Sequence, residues 1–299
     1  MNMMANYNNK AQPSGWTLQT LPEMDNDQFR KWQELLESRT GMSLPLGRKV
    51  FLQTSLGTRM REIGCSDYQE YFDKVISGPS GIIEWTTLVD RLTVQETRFY
   101  RDLDACKLVT DYVLTRPVDK LKKSTLEVWS VGCSTGEEPY TLAMMLNESM
   151  NTLGLKQYYG VTGTDISTPA LEKARAGKYS ERKLVTVDPT LREKYFSKHE
   201  NGQYEVIASI KDRVCFARVN ILDLGNAPMH GMNVIFCQNV LIYFRRWRRK
   251  EILSRLVERL VPGGLLVLGQ GEMVDWKHPN LERVPSDNTL AFIRRPEKN

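Results

Sequence analysis

The chain has 299 residues, 41% of them hydrophobic and 26% charged, with a formal net charge of +5. This is the composition of one large or, by length, two ordinary water-soluble domains, which excludes collagen-like, fibrous and largely disordered classes. No run reaches the ~18 consecutive apolar residues of a membrane-spanning helix, the first residues lack the apolar core of a secretory signal, and a cytoplasmic protein is the expectation.

Residues 1–24 are polar, rich in asparagine and without periodicity, and read as a disordered tail. Asp25-Asn26-Asp27-Gln28 resembles a capping box and opens a helix with Phe29, Trp32, Leu35 and Leu36 on one stripe, stopped by Gly41. A second helix from about Gly47 to Ile63 places Leu52, Leu56, Met60 and Ile63 on one face. Ser66 to Gln69 reads as another box, opening a helix with Tyr68, Tyr71, Phe72 and Val75 that Gly78-Pro79 closes. A fourth helix carries Ile82, Trp85, Leu88, Val89 and Leu92. Residues 25–95, with nine basic and ten acidic side chains, therefore read as a small all-helical domain.

Residues 96–125 read as a linker and active-site segment, and from Leu126 the pattern changes. Strands are expected at Leu126–Val131, Gly160–Asp165, Val214–Val219, Val234–Cys237 and Leu265–Leu268, with helices at Glu138–Met150, from Thr168-Pro169, and at about Arg248–Leu260. Strand–helix alternation predicts a parallel, doubly wound sheet over 126–295. Within about 179–213, Asn201-Gly202 between two strand-like runs is a hairpin signal, and the segment reads as a small antiparallel insertion.

The chemistry begins at Gly132-Cys133-Ser134-Thr135-Gly136-Glu137-Glu138, a glycine turn between a strand and a helix, where a ligand can approach the backbone. Asp165, ending the next strand, can accept both hydroxyls of a ribose, or serve only as a carboxylate at a helix start. Glu137 and Glu138 would repel a pyrophosphate; a phosphate-free nucleoside with a positive centre, such as S-adenosylmethionine, fits better. The five cysteines, Cys65, Cys106, Cys133, Cys215 and Cys237, form no CxxC pair, and with three histidines a metal site is not expected. Reduced, mostly buried thiols are the reading, although a cysteine–histidine pair stays open.

Four motifs then occur in order: Thr97-Arg98-Phe99-Tyr100-Arg101-Asp102, Ser134-Thr135-Gly136-Glu137-Glu138-Pro139-Tyr140, Thr164-Asp165-Ile166, and Cys237-Gln238-Asn239-Val240-Leu241-Ile242-Tyr243-Phe244. Together they resemble the chemotaxis receptor methyltransferases of the CheR family over roughly residues 25–295. The resemblance implies an α/β chain: a small N-terminal all-helical domain, then a Rossmann-like S-adenosylmethionine-dependent methyltransferase domain with a small antiparallel β-subdomain. It implies transfer of a methyl group to glutamate side chains in the cytoplasmic domains of chemoreceptors, leaving S-adenosylhomocysteine, with no metal, nucleic acid or membrane insertion. Carried over by motif, Gln95, Thr97 and Arg101 reach the cofactor, and Glu138, or its neighbour Glu137, meets the methionine or sulfonium end. Asp165 holds the ribose, Asn220 and Ile221 the adenine, and Gln238 with Asn239 the far wall. Arg101 and Tyr243 flank the transferred methyl and the incoming carboxylate.

The chain departs from the family pattern in places. Cys237-Gln238-Asn239 stands where Cys-Arg-Asn is common, and Gly269-Gln270-Gly271-Glu272 stands for Gly-His-Ser-Glu. The second helix is less basic than usual, with Arg48 and Arg59 sharing a face. The run Arg245 to Lys250 is either a solvated helix start or a patch facing an acidic receptor surface. The compact Asn201-Gly202 turn argues against docking of a receptor's C-terminal pentapeptide, which some members bind by strand addition. Two rivals stay open here: the same fold acting on another substrate, RNA included, and a non-catalytic scaffold that binds S-adenosylmethionine.

Overall fold

A computed structural model describes residues 23–296 except 94, 118–124, 156–158 and 274. Four helices come first: α1 (Asn26–Thr40), α2 (Lys49–Ile63), α3 (Tyr68–Ile76) and α4 (Gly78–Leu92). Asp25 caps α1 with both reciprocal bonds of the box, and Gly41 ends it in the left-handed region. The expected tail lies outside the described residues up to 22, but its last member, Met24, is buried in the helical core beside Phe29 and Leu56.

Two boundaries differ from the sequence reading. Asp67, not Ser66, caps α3, accepting the N–H groups of Gln69 and Glu70, while the Glu70 carboxylate reaches back to the Ser66 N–H at 2.8 Å. A carboxylate outcompetes a hydroxyl for amide donors, which moves the box one residue on. Gly78-Pro79 opens α4 instead of closing α3, because proline at a first turn lacks only an N–H that has no helical partner anyway.

Next come α5 (Leu103–Leu114), β1 (Leu126–Val131), α6 (Glu137–Thr152), β2 (Tyr159–Asp165) and α7 (Thr168–Ala176). An insertion follows: β3 (Lys178–Ser180), α8 (Pro189–Tyr195), β4 (Phe196–Lys198), β5 (Gln203–Val206) and the short α9 (Ala208–Lys211). The chain closes with β6 (Val214–Arg218), β7 (Met232–Cys237), α10 (Arg246–Arg259), β8 (Leu260–Leu268), β9 (Leu281–Arg283) and β10 (Leu290–Arg294). The main sheet has the order β6-β2-β1-β7-β8-β10-β9. Its first five strands are parallel, while β10 pairs antiparallel with both β8 and β9, so the sheet is mixed where a parallel one was expected. The three insertion strands form their own antiparallel sheet, with β5 central.

The central strands are buried on both faces, as parallel strands covered by helices must be. Along β1, Leu126 and Val128 pack with α5, α6 and the insertion, while Trp129 and Val131 pack with α10 on the opposite face. The period of two also puts Ser130 on the α6 side. Strand order reverses between β1 and β7, which opens a crevice at their carboxyl ends. The helical domain closes over that crevice through Met42 bridging Phe244, Ser43 N–H on the Tyr243 carbonyl at 2.7 Å, and Asn220 Nδ2 on the Arg39 carbonyl at 2.8 Å.

Candidate active site

A cavity of about 540 Å³ lies at this crevice, walled by the helical domain, the segment after α4, and the loops following β1, β2, β6 and β7. All ten residues singled out from the sequence line it: Gln95, Thr97, Arg101, Glu138, Asp165, Asn220, Ile221, Gln238, Asn239 and Tyr243. They come from five separate loops, and the strand order is what gathers them.

The glycine turn after β1 has a reason for each glycine. Gly132 has φ +70°, and a Cβ there would sit 2.4 Å from Val240 Cγ2; at Gly136, φ is +92° and a Cβ would meet Ala174 at 2.8 Å. Ser134 between them is also left-handed, and its N–H is held by Asp165 Oδ2 at 2.8 Å. The other Asp165 oxygen accepts the Ser167 N–H at 2.9 Å, at the start of α7. Burial pushes this carboxyl up and the backbone donors pull it down. Asp165 is thus a helix-start carboxylate, yet it faces the cavity and keeps lone pairs for a further donor.

The two adjacent glutamates part company. Glu137 is fully buried away from the cavity, paired with Lys183 Nζ at 2.8 Å and bonded by Thr135. Lys183 also holds the Thr97 carbonyl at 2.9 Å, so the insertion fixes the interdomain segment. Glu138 faces the cavity and takes one hydrogen bond, from Ser130 Oγ at 2.7 Å. Burial, together with the neighbouring Glu272 and Asp102 carboxylates, pushes its carboxyl up to about 8, against relief from Ser130 and Arg101. A buried acid in this state has a strong preference for a cationic partner.

On the opposite wall, Arg101 is exposed and donates to the Glu96 carbonyl at 2.9 Å. It makes no ion pair with Asp102, which instead caps α5 and accepts Gln238 Nε2 at 2.8 Å. Gln238 therefore spends its amide on anchoring the wall. Tyr243 is half-buried; burial raises its hydroxyl above the ordinary value, moderated by Arg48 and Arg101. Gln95 bonds Ser167 Oγ at 2.8 Å. The Asn220 side chain is occupied by Arg39 and Leu222, so toward a ligand it offers mainly backbone.

Three side chains sit differently from the sequence reading. Arg59, assigned to an open basic face, forks onto buried Glu84 at 2.7 and 2.8 Å and pairs with Glu62. Arg245, though exposed, pairs with Glu37 of α1, Arg248 pairs with Glu251, and Arg249 donates to three backbone carbonyls, leaving Arg246 and Lys250 as the exposed cations of that run outside any ion pair among the described residues. Sequence reasoning missed Ser130, Asp102, Glu272 and Arg249. Strand alternation could have placed Ser130, and Asp102 could have been read as a helix cap, but no local pattern announces its bond to Gln238 or the roles of Glu272 and Arg249. Cys106 and Cys133 line the cavity with no histidine beside them, and burial pushes the Cys106 thiol up to about 12, leaving neither a ready nucleophile. Among the described residues, no cluster that could hold a metal ion occurs.

Ser134 Oγ is buried on the cavity wall without a partner, and the same cavity is lined by one acid supported by a single hydroxyl and another with lone pairs to spare. That donor set fits a ligand carrying hydroxyls and positive charge. Fold and site together define an S-adenosylmethionine-dependent methyltransferase. The family model for the CheR methyltransferase SAM-binding domain matches residues 95–290, and that for the CheR methyltransferase all-alpha domain matches 27–93. The chain belongs to the CheR methyltransferase family. The chemotaxis protein methyltransferase of Klebsiella aerogenes is 33% identical over 258 residues, 85% of this chain and 85% of that protein. That of Escherichia coli K12 is 33% identical over 249 residues, 82% of this chain and 83% of its own. Among solved structures, the plantazolicin methyltransferase BpumL with SAH overlaps 66% of this chain and 55% of that one, at 19% identity and a TM-score of 0.32.

Proposed function

We propose that the chain methylates glutamate side chains of chemoreceptors, forming methyl esters that reset receptor signalling. The observation that carries this reading is the placement of Arg101 and Tyr243 on the same cavity as Glu138 and Asp165, in a chain whose relatives are chemotaxis protein methyltransferases. When bound, S-adenosylmethionine supplies a methyl on a sulfonium centre, which a carboxylate attacks directly. Glu138 supplies the buried negative charge for the cationic end, Asp165 accepts the ribose hydroxyls, and Ile221 with the Asn220 backbone walls the adenine. Gln95 and Thr97 close the side nearest the helical domain, and Gln238 with Asn239 the far side.

A substrate glutamate with pKa near 4.3 is already ionised at neutral pH, so the site needs no general base. What it must provide is alignment, with the attacking oxygen held roughly 3–3.5 Å from the methyl. Arg101 has guanidinium N–H groups beyond the one spent on Glu96, which can fork onto that carboxylate. Tyr243 stays protonated because burial raises it, and so remains a donor. Neither residue has to move a proton.

Transfer of labelled methyl to receptor membranes, released as methanol by mild base, tests the reading. Label that resists base, or that appears on nucleic acid, overturns it. A scaffold without catalysis has no observation in its favour. We further propose a cytoplasmic enzyme that does not depend on a receptor's C-terminal pentapeptide: the β4–β5 turn is the tight Asn201-Gly202 form, with Gly202 at φ +77°. Micromolar binding of such a peptide by calorimetry would contradict this.

A further inference from the structure

The loop carrying Asn239 and Tyr243 leaves β7 in a shape that no sheet ladder can support. Asn239 is left-handed, at φ 60°, Leu241–Tyr243 make one 3-10 turn, and Phe244 is extended. Backbone groups withdrawn from water there need partners, and two charged side chains from outside the loop supply most of them. The buried Glu272 carboxylate accepts the N–H of Leu241 at 2.8 Å and that of Gly269 at 2.7 Å, and the backbone N–H groups of Val240 and Asn239 also favour its charged form. The Arg249 guanidinium, in the first turn of α10, donates Nε to the Phe244 carbonyl at 2.7 Å and Nη2 to the Ile242 carbonyl at 3.3 Å. Its Nη1 reaches the carbonyl of Glu272 at 2.8 Å. The acid thus holds the first half of the loop by its N–H groups, and the cation holds the second half by its carbonyls. Tyr243 sits between the two carbonyls that Arg249 grips, and its own carbonyl takes the Ser43 N–H at 2.7 Å.

We propose that Arg249 is a positioning residue for Tyr243: its three-way grip on Ile242, Phe244 and Glu272 sets where the Tyr243 hydroxyl meets the substrate carboxylate. The proposal rests on the reading of Tyr243 given above. A guanidinium committed to three divergent carbonyls is not available to a docking partner. Lysine, with one nitrogen at the end of a flexible stem, cannot reproduce a planar fork aimed in three directions. The role is specific to the Tyr243 half of the loop, because the Asn239 half is fixed by Glu272.

The test uses the full chain with fluorinated tyrosine, the Tyr243 resonance being assigned from its absence in Tyr243→Phe. In Arg249→Met that resonance shifts or broadens while those of tyrosines in the helical domain stay. The kcat falls by about tenfold to a hundredfold, the range expected from a misplaced orienting group. Affinity for S-adenosylhomocysteine stays within about twofold, and Arg249→Lys falls between. Adding Arg249→Met to Tyr243→Phe costs no further turnover, as residues acting through one another are non-additive. An unmoved Tyr243 resonance in both Arg249 variants overturns the proposal. So does a double variant whose losses multiply. Should Tyr243→Phe alone keep full turnover, the carboxylate-orienting role of Tyr243 falls, while the resonance still decides whether Arg249 positions it.

Discussion

Glu138 makes a prediction that can be worked through to numbers. Without ligand, burial holds its carboxyl at about 8, against an ordinary 4.5, so at pH 7 about nine molecules in ten carry the proton. A cationic ligand needs the carboxylate, and binding must expel that proton. Calorimetric titration with S-adenosylmethionine, in buffers of different ionisation enthalpy, should count about 0.9 proton released at pH 7, about 0.5 at pH 8 and about 0.1 at pH 9. Affinity should rise roughly elevenfold from pH 7 to its alkaline plateau, equivalent to about 1.4 kcal/mol. In Glu138→Gln both the release and the slope vanish. The ligand-free fold shows the linked effect: between pH 4.5 and about 8 the folded state binds more protons at this site than the unfolded one, so this site's contribution to stability falls as pH rises. Glu138→Gln removes that contribution. Proton-neutral binding at pH 7, or equal release by wild type and Glu138→Gln, would refute the assignment of this acid to the cation.

Other outcomes follow from single contacts. Glu84, buried under Arg59 and the Tyr71 hydroxyl, is held below its ordinary range by those donors. Glu84→Ala leaves the Arg59 guanidinium with Glu62 alone and takes the acceptor from the buried Tyr71 hydroxyl, and should cost about 3 kcal/mol in chemical denaturation. Because the folded carboxyl is depressed, the wild-type advantage is present above the ordinary value and should fade as pH falls through the folded one. Gly132→Ala places a Cβ 2.4 Å from Val240 Cγ2 at a positive φ; a loss of about 1–3 kcal/mol and weaker S-adenosylhomocysteine binding are expected. Val240→Ala should return the packing part of that loss and none of the backbone part; full recovery would show that the turn tolerates a side chain. Charge reversal at exposed Arg246 and Lys250 should raise KM for receptor membranes, more at low salt than at high, and an unchanged KM would remove that patch from receptor docking.

Local patterns in the sequence carried much of this architecture, and the places where they failed share a cause. Capping acids, helical stripes and the switch to alternating strands were legible because each is decided within a few residues. The mixed edge of the sheet was not: β9 is three residues long, and β10 is a strand only because β8 offers it an edge. The helix α5 hid inside a stretch chosen for its motif, although Asp102 capping Ala105 N–H is a local signal that could have found it. At the site, identities were readable and duties were not. Asp102, Glu272 and Arg249 each also hold a group from more than twenty residues away (the Gln238 amide, the Leu241 N–H and the Glu272 carbonyl), and nothing near them in sequence reveals those partners. Arg249 looked like one more solvated cation for the same reason.

The division of labour among the buried acids explains why only one of them is left for a cation. Three loops meet at the cavity in left-handed conformations without glycine, at Tyr100, Ser134 and Asn239, each costing on the order of 1–3 kcal/mol unless its surroundings enforce it. Asp165 enforces one by taking the Ser134 N–H, Glu272 steadies another by taking the Leu241 N–H at 2.8 Å two residues beyond Asn239, and Thr141 Oγ1 enforces the third by taking the Tyr100 N–H at 3.2 Å. Two carboxylates are thereby stabilised by amide donors and committed to shaping the walls. Glu138 has one hydroxyl for support and two acidic neighbours, so its charge is the one least satisfied by the protein. The geometry that strains the loops and the electrostatics that disfavour ionised Glu138 are consequences of one arrangement: acids gathered at the strand ends, all but one already occupied by backbone amides or, for Glu137, by Lys183.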